Sequence, residues 1–107
     1  MINERIIIMK IVNEKDGDKL ILNISGRLDT TTAPQLENEL NSLIDEISDL
    51  TMDLTELEYI SSAGLRILLQ SQQAMNKKKG KMTIKGARET ILDIFNVTGF
   101  SDILNIE

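Results

Sequence analysis

"EYISSAGLRILL", residues 58–69, reads as the end of a strand, a turn on Ser61, Ser62, Ala63 and Gly64, and then an apolar helix. A strand delivered straight into a helix is the joint of a β-α unit, and such joints decide the class of fold. On its amino side "DLTMDLTEL" alternates Leu50, Met52 and Leu54 against Thr51, Asp53 and Thr55, so one continuous third strand is expected to run into the joint. On its carboxyl side Leu65, Leu68, Leu69 and Met75 share one helical face, with Gly80 as the expected stop.

Working outward, "IIIMKIVN" and "KLILNIS" flank the polar stretch "EKDGD" and predict two strands joined by a turn at Gly17. Residues 1–8 are either an N-terminal extension or part of the first strand. In "GRLDTTTAPQLENELNSLIDEI", Gly26 is expected to end the second strand. Thr32 and Gln35 have capping-box spacing, Pro34 suits a first helical turn, and Leu36, Leu40, Leu43, Ile44 and Ile47 form an apolar stripe. "KMTIKG" predicts a short fourth strand. "ARETILDIFNVTGF" predicts a third helix with Ile91, Ile94, Phe95 and Thr98 in register, ended by Gly99. The tail "DILNIE" adds a short strand or docks its isoleucines. The order β β α β α β α implies an α/β fold, a mixed and largely parallel sheet of four to five strands with helices packed against it.

Composition narrows the function. The 107 residues form one domain of ordinary globular make-up, 41% hydrophobic and 27% charged. A formal net charge of −5 is the wrong sign for a general nucleic-acid or anionic-membrane binder. Lys77, Lys78, Lys79 and Lys81 cluster, but no aromatic residue is interleaved for base stacking, and they read as a solvated helix end. There is no cysteine and no histidine, so disulfides, thiolate chemistry and the commonest metal ligand and general base are missing from the inventory, which suits a reducing cytoplasm. No apolar run approaches the roughly 20 residues of a membrane span, and the N-terminus lacks a leader's long apolar region. A soluble, cytoplasmic protein without cofactor or metal is the expectation.

The joint itself is the candidate site, because loops at the carboxyl ends of strands in α/β sheets are where ligands and partners meet the fold. A helix N-terminus favours a hydroxyl cap or a phosphate. Taken locally, the favoured reading is that Ser61 or Ser62 is only an N-cap, contributing about 1 kcal/mol. Gly64 allows another backbone to approach closely. Asp29 and the threonines after it read as turn and cap residues. A serine hydrolase triad is excluded because no histidine exists to deprotonate the nucleophile. Glu56 and Glu58, on the polar side of the strand exit, read as solvated rather than as a glycosidase pair. No phosphate-binding loop of the G-x-x-x-x-G-K type occurs.

Four segments, "GRLDTTTAPQLENEL", "LTMDLTELEYISSAGLRILL", "KKGKMTIKG" and "ILDIFNVTGFSDILNI", in this order resemble the STAS family of sulphate transporters and anti-sigma-factor antagonists. The resemblance covers nearly the whole chain from about Met9 onward. It implies the STAS fold and, for a chain consisting of the domain alone, partner switching in bacteria. The unphosphorylated antagonist binds an anti-sigma factor that is also a serine/threonine kinase; phosphorylation releases it, and a metal-dependent serine phosphatase restores it. The family pattern at the joint is D-S-S/T-G-L. Aligning Gly64 and Leu65 puts Ser62 at the phosphorylated position, Ser61 at the aspartate and Ala63 at the second hydroxyl. The aspartate is therefore missing, and Ser61 becomes an alternative acceptor. Asp29 matches the family's aspartate in the adjoining loop. The implied partner surface comprises Asp29, Thr30, Thr31, Ser61, Ser62, Ala63, Gly64 and Leu65. The resemblance also admits a subunit of a lipid-transporting ABC system, a switch with another output, or a nucleotide-binding module. The implied protein is not an enzyme, makes no direct nucleic-acid or membrane contact, and is a monomer or weak dimer.

Overall fold

The computed structural model describes residues 9–107. The reading of residues 1–8 lies outside the described residues. Two strands, β1 (Met9–Asp16) and β2 (Lys19–Leu28), form an antiparallel hairpin in register from Met9 opposite Gly26 to Asp16 opposite Lys19. Only Gly17 and Asp18 are left for the turn: β1 reaches through Asp16 into "EKDGD", while β2 begins at Lys19 as expected.

Helix α1 (Ala33–Leu43) continues as a 3-10 turn over Ile44–Glu46. Leu36 and Leu40 are buried, and Leu43 and Ile44 pack at the edge of the core. The capping box does not form, because the Thr32 side chain makes no cap bond to the helix. Its hydroxyl turns back to donate to the Arg27 carbonyl at 2.8 Å and to accept the Asp29 N–H at 2.9 Å, tying the helix entrance to the end of β2.

The expected continuous third strand is two strands, β3 (Asp49–Asp53) and β4 (Leu57–Ile60). Between them the Leu57 N–H donates to the Leu54 carbonyl at 3.0 Å, closing a turn. Helix α2 (Ser62–Lys77) follows, then β5 (Lys81–Lys85) and α3 (Glu89–Thr98), and a 3-10 turn over Phe100–Asp102. Helix α2 stops three residues before Gly80, and the left-handed residue that turns the chain is Lys79 (φ 61°). Gly80 instead leaves room for the Ser48 carbonyl, which would lie 2.8 Å from a Cβ at that position. The tail makes a single parallel bridge, Ile106 to Ile84.

The five-stranded mixed sheet runs β1-β2-β3-β5, with β4 pairing β2 beyond the end of β3. Gly26 does not end β2. It lies inside the strand at φ 91°, where a side chain would be strained, and it marks a register shift: Gly26 faces Leu57, but Arg27 faces Tyr59. Leu20, Leu22, Ile24 and Leu28 of β2 line the core, together with Leu50 and Met52 of β3 and Met82 and Ile84 of β5. The alternate residues Lys19, Ile21 and Arg27 are exposed, so the sheet has one open face and its parallel strands alternate rather than reading as unbroken apolar runs. On β5 the rule is broken by Thr83, which is buried and accepts a hydrogen bond from Asn105 of the tail at 3.4 Å.

Candidate functional site

The parallel pairing of β2 with β4 builds the site. Leu28 faces Ile60, so the chain leaves both strands at the same edge, with Asp29 on one side and Ser61 on the other. The Ser61 N–H donates to the Leu28 carbonyl at 2.9 Å, which locks the two exits together. Ser61 then occupies the N-cap of α2 with extended backbone (φ −101°, ψ 179°), and its carbonyl accepts the Leu65 N–H at 2.9 Å, the first turn of the helix.

The two serines differ in access. Ser62, the first residue of α2, is exposed. The Ser61 hydroxyl oxygen is buried and has no hydrogen-bond partner, so Ser61 caps α2 through its backbone and not through its side chain. Ala63 packs against the core, and Gly64 and Leu65 are buried. Those last two lie beneath the exposed Ser62. What approaches Gly64 is not backbone: a Cβ there would lie 2.7 Å from Leu28 Cγ and 2.8 Å from Ile60 Cγ1. Helix α2 thus sits directly on the ends of the two strands that carry Asp29 and Ser61. Gly64→Ala is expected to destabilise the protein by about 1–2 kcal/mol, the overpacking penalty less the better helix propensity of alanine. Urea denaturation checks this, and an unchanged midpoint would show that Leu28 and Ile60 give way.

Asp29 is built into a turn of its own. Its Oδ1 accepts the Thr31 hydroxyl at 2.7 Å, the Thr31 N–H at 3.0 Å and the Thr32 N–H at 3.2 Å. The Thr31 hydroxyl, followed by the two backbone donors and the Arg27 guanidinium, holds the Asp29 carboxyl below the usual carboxylate range despite partial desolvation. Thr30 and Thr31 are exposed beside it. The end of β3 repeats the motif: Asp53 Oδ1 accepts the Thr55 hydroxyl at 2.6 Å and the Thr55 N–H at 3.0 Å, and that hydroxyl holds its carboxyl low too.

Two residues of this edge escape a reading of the sequence. Arg27 Nε lies 3.6 Å from Asp29 Oδ2, and its guanidinium stacks over the Tyr59 ring at 4.2 Å from the centroid. The pairing of Arg27 with Tyr59 depends on the register shift at Gly26, which no local spacing reveals. A hollow of about 360 Å³ on the open face of the sheet is lined by Lys10, Asn23, Ser25, Asp53 and Glu56 among others, and includes none of the strand-edge cluster around Ser62. The site is a polar edge on which Ser62, Thr30 and Thr31 are exposed, with the Asp29 carboxylate held ionised and Arg27 held beside it. It is suited to contact with another protein. Among the described residues no helix is long and apolar enough to cross a membrane.

Known proteins are similar to this chain in sequence and in fold. The anti-sigma-B factor antagonist of Bacillus subtilis is 30% identical over 95 residues, 89% of this chain and 86% of that protein. An anti-sigma factor antagonist from Mycobacterium paratuberculosis matches the structure with a TM-score of 0.81 at 23% identity, covering 92% of this chain and 84% of that one. The Bacillus cell fate determinant SpoIIAA in its phosphorylated form matches with a TM-score of 0.74 at 14% identity, covering 92% and 91%. The STAS domain family model matches residues 10–107. With that match spanning nearly every residue, and with the strand-to-helix joint at Ser61 and Ser62 set in a five-stranded sheet of the same fold, the chain belongs to the STAS domain family.

Proposed function

We propose that the protein is an anti-sigma-factor antagonist of a bacterial partner-switching pathway, acting in the cytoplasm by binding and not by catalysis. Unphosphorylated, it holds an anti-sigma factor that is also a serine kinase and so frees a sigma factor for transcription. Phosphorylation of Ser62 releases it, and a metal-dependent serine phosphatase returns it to the binding form. The contact surface is Ser62 with Asp29, Thr30 and Thr31. The observation that carries the reading is the 30% identity to an anti-sigma-B factor antagonist across 89% of the chain. The exposure of Ser62 supports it as the acceptor, and the burial of the Ser61 hydroxyl argues against the alternative.

Affinity capture tests this. Ser62→Ala and Ser62→Asp baits are passed through lysate of the source organism, and retained proteins are identified by mass spectrometry. A kinase-like anti-sigma factor held by the alanine bait and lost from the aspartate bait is the expected result. The same proteins on both baits, or transporter subunits in place of the anti-sigma factor, would overturn it.

A further inference from the structure

Ser62 and Arg66 stand one helical turn apart on α2, and both are exposed. Helical side chains lean toward the N-terminus, so the guanidinium of residue i+4 lies over the turn that carries residue i. An acid placed four residues before a base is the favourable order for such a pair. Arg66 is uncommitted: the two ion pairs among the described residues, Lys15 with Glu46 and Arg27 with Asp29, do not use it. Arg27 is already held between Asp29 and the Tyr59 ring. We propose that Arg66 is the counter-ion of a phosphate on Ser62, a positioning residue that draws the phosphate down onto the first turn of α2. The proposal rests on the assignment of Ser62 as the phosphorylated residue.

The pairing would change two things at the surface at once. The phosphate adds about −1.5 to −2 of charge at pH 7. Arg66, until then free to meet a carboxylate on a partner, turns inward to the phosphate, and its planar fork suits two of the phosphate oxygens. Other charged groups of the neighbourhood are Asp29 and Arg27 from the end of β2, Glu58 from β4, and Glu37 of α1, which lines a hollow with Ile67 and Gln70 of α2. The carboxylates oppose ionisation of the phosphate, so its second proton reports whether a cation is at hand.

Phosphoserine introduced co-translationally at position 62 needs neither kinase nor partner. A phosphorus NMR titration of that protein is compared with the same protein carrying Arg66→Gln, Arg66→Lys or Arg27→Gln. The second phosphate pKa is expected to rise by about 0.3 units in Arg66→Gln, and to return part of the way in Arg66→Lys. Arg27→Gln is expected to move it less. Equal values in the unsubstituted protein and Arg66→Gln, or a larger effect from Arg27→Gln, would overturn the pairing. Since no partner is present, that failure is distinct from any failure of the capture experiment.

Discussion

Phosphorylation of Ser62 is expected to weaken binding of the proposed anti-sigma factor about a hundredfold, a loss of about 2.7 kcal/mol, while the fold stays in place. Ser62 is exposed at the first residue of α2, so a phosphate there would enter no core. The positive end of the helix and its free N–H groups favour negative charge there, which keeps the modified form folded. What changes is the surface. A neutral hydroxyl becomes an anion on a protein already at −5, across the strand exits from Asp29, whose hydrogen bonds from Thr31 and Thr32 keep it ionised. An interface formed around the hydroxyl then meets repulsion and desolvation cost at its centre. Isothermal titration of the two forms against the partner measures the loss, and amide NMR spectra measure the fold. Shifts confined to the neighbourhood of Ser62 and the Asp29 turn are expected. Shifts across all five strands would mean a conformational switch instead. Position 61 provides the contrast. Its hydroxyl oxygen is buried, so phosphoserine at 61 is expected to disrupt packing beneath the joint and broaden or lose the native spectrum.

Much of this arrangement is legible in the sequence because each helix and strand has its own period. The alternation of Leu20, Leu22 and Ile24 and the helical spacing of Leu36 and Leu40 name residues that are all buried. The exposed Ser62, set between an apolar strand end and an apolar helix, is legible for the same reason. The division of β3 from β4 has a signal that alternation alone hides. The apolar residues Leu50, Met52, Leu54, Leu57 and Ile60 are all buried, and the step of three after Leu54 breaks the period of two. In an unbroken strand residues three apart face opposite sides, so the run needs two interruptions: a turn between Leu54 and Leu57, and the bulge opposite Gly26 that lets both Leu57 and Ile60 of β4 face the core. Side-chain caps are a different matter. Thr32 has the spacing of a capping box, but its hydroxyl finds better-placed partners in the Arg27 carbonyl and Asp29 N–H, which only the fold brings to it. The Arg27–Tyr59 stack is likewise tertiary: it needs a bulge at Gly26 and a parallel neighbour from thirty residues on.

Phe95→Ala is expected to cost about 3–5 kcal/mol, the largest stability effect of any single substitution considered for this chain. The protein has only three aromatic residues, and Phe95 is the one that is fully buried. It sits with Ile91 on the inner side of α3, the helix that packs against β4. Truncation removes the ring's apolar area from the core and leaves a cavity that surrounding leucines and isoleucines cannot fill without moving. For a domain of this size the melting temperature should fall by about 15 °C or more. Val97, two residues on, is 83% exposed on the same helix, and Val97→Ala should change stability by no more than about 0.5 kcal/mol. The pair therefore separates packing from helix propensity, which both substitutions alter. Because β4 ends at the joint that presents Ser62, the loss of Phe95 should also reach the site. Amide exchange at Ser61 and Ser62 is expected to quicken in Phe95→Ala and to stay unchanged in Val97→Ala. If exchange at the joint is untouched while the global stability falls, α3 supports the core alone and the strand-to-helix joint is held by Leu28, Ile60 and Gly64 without it.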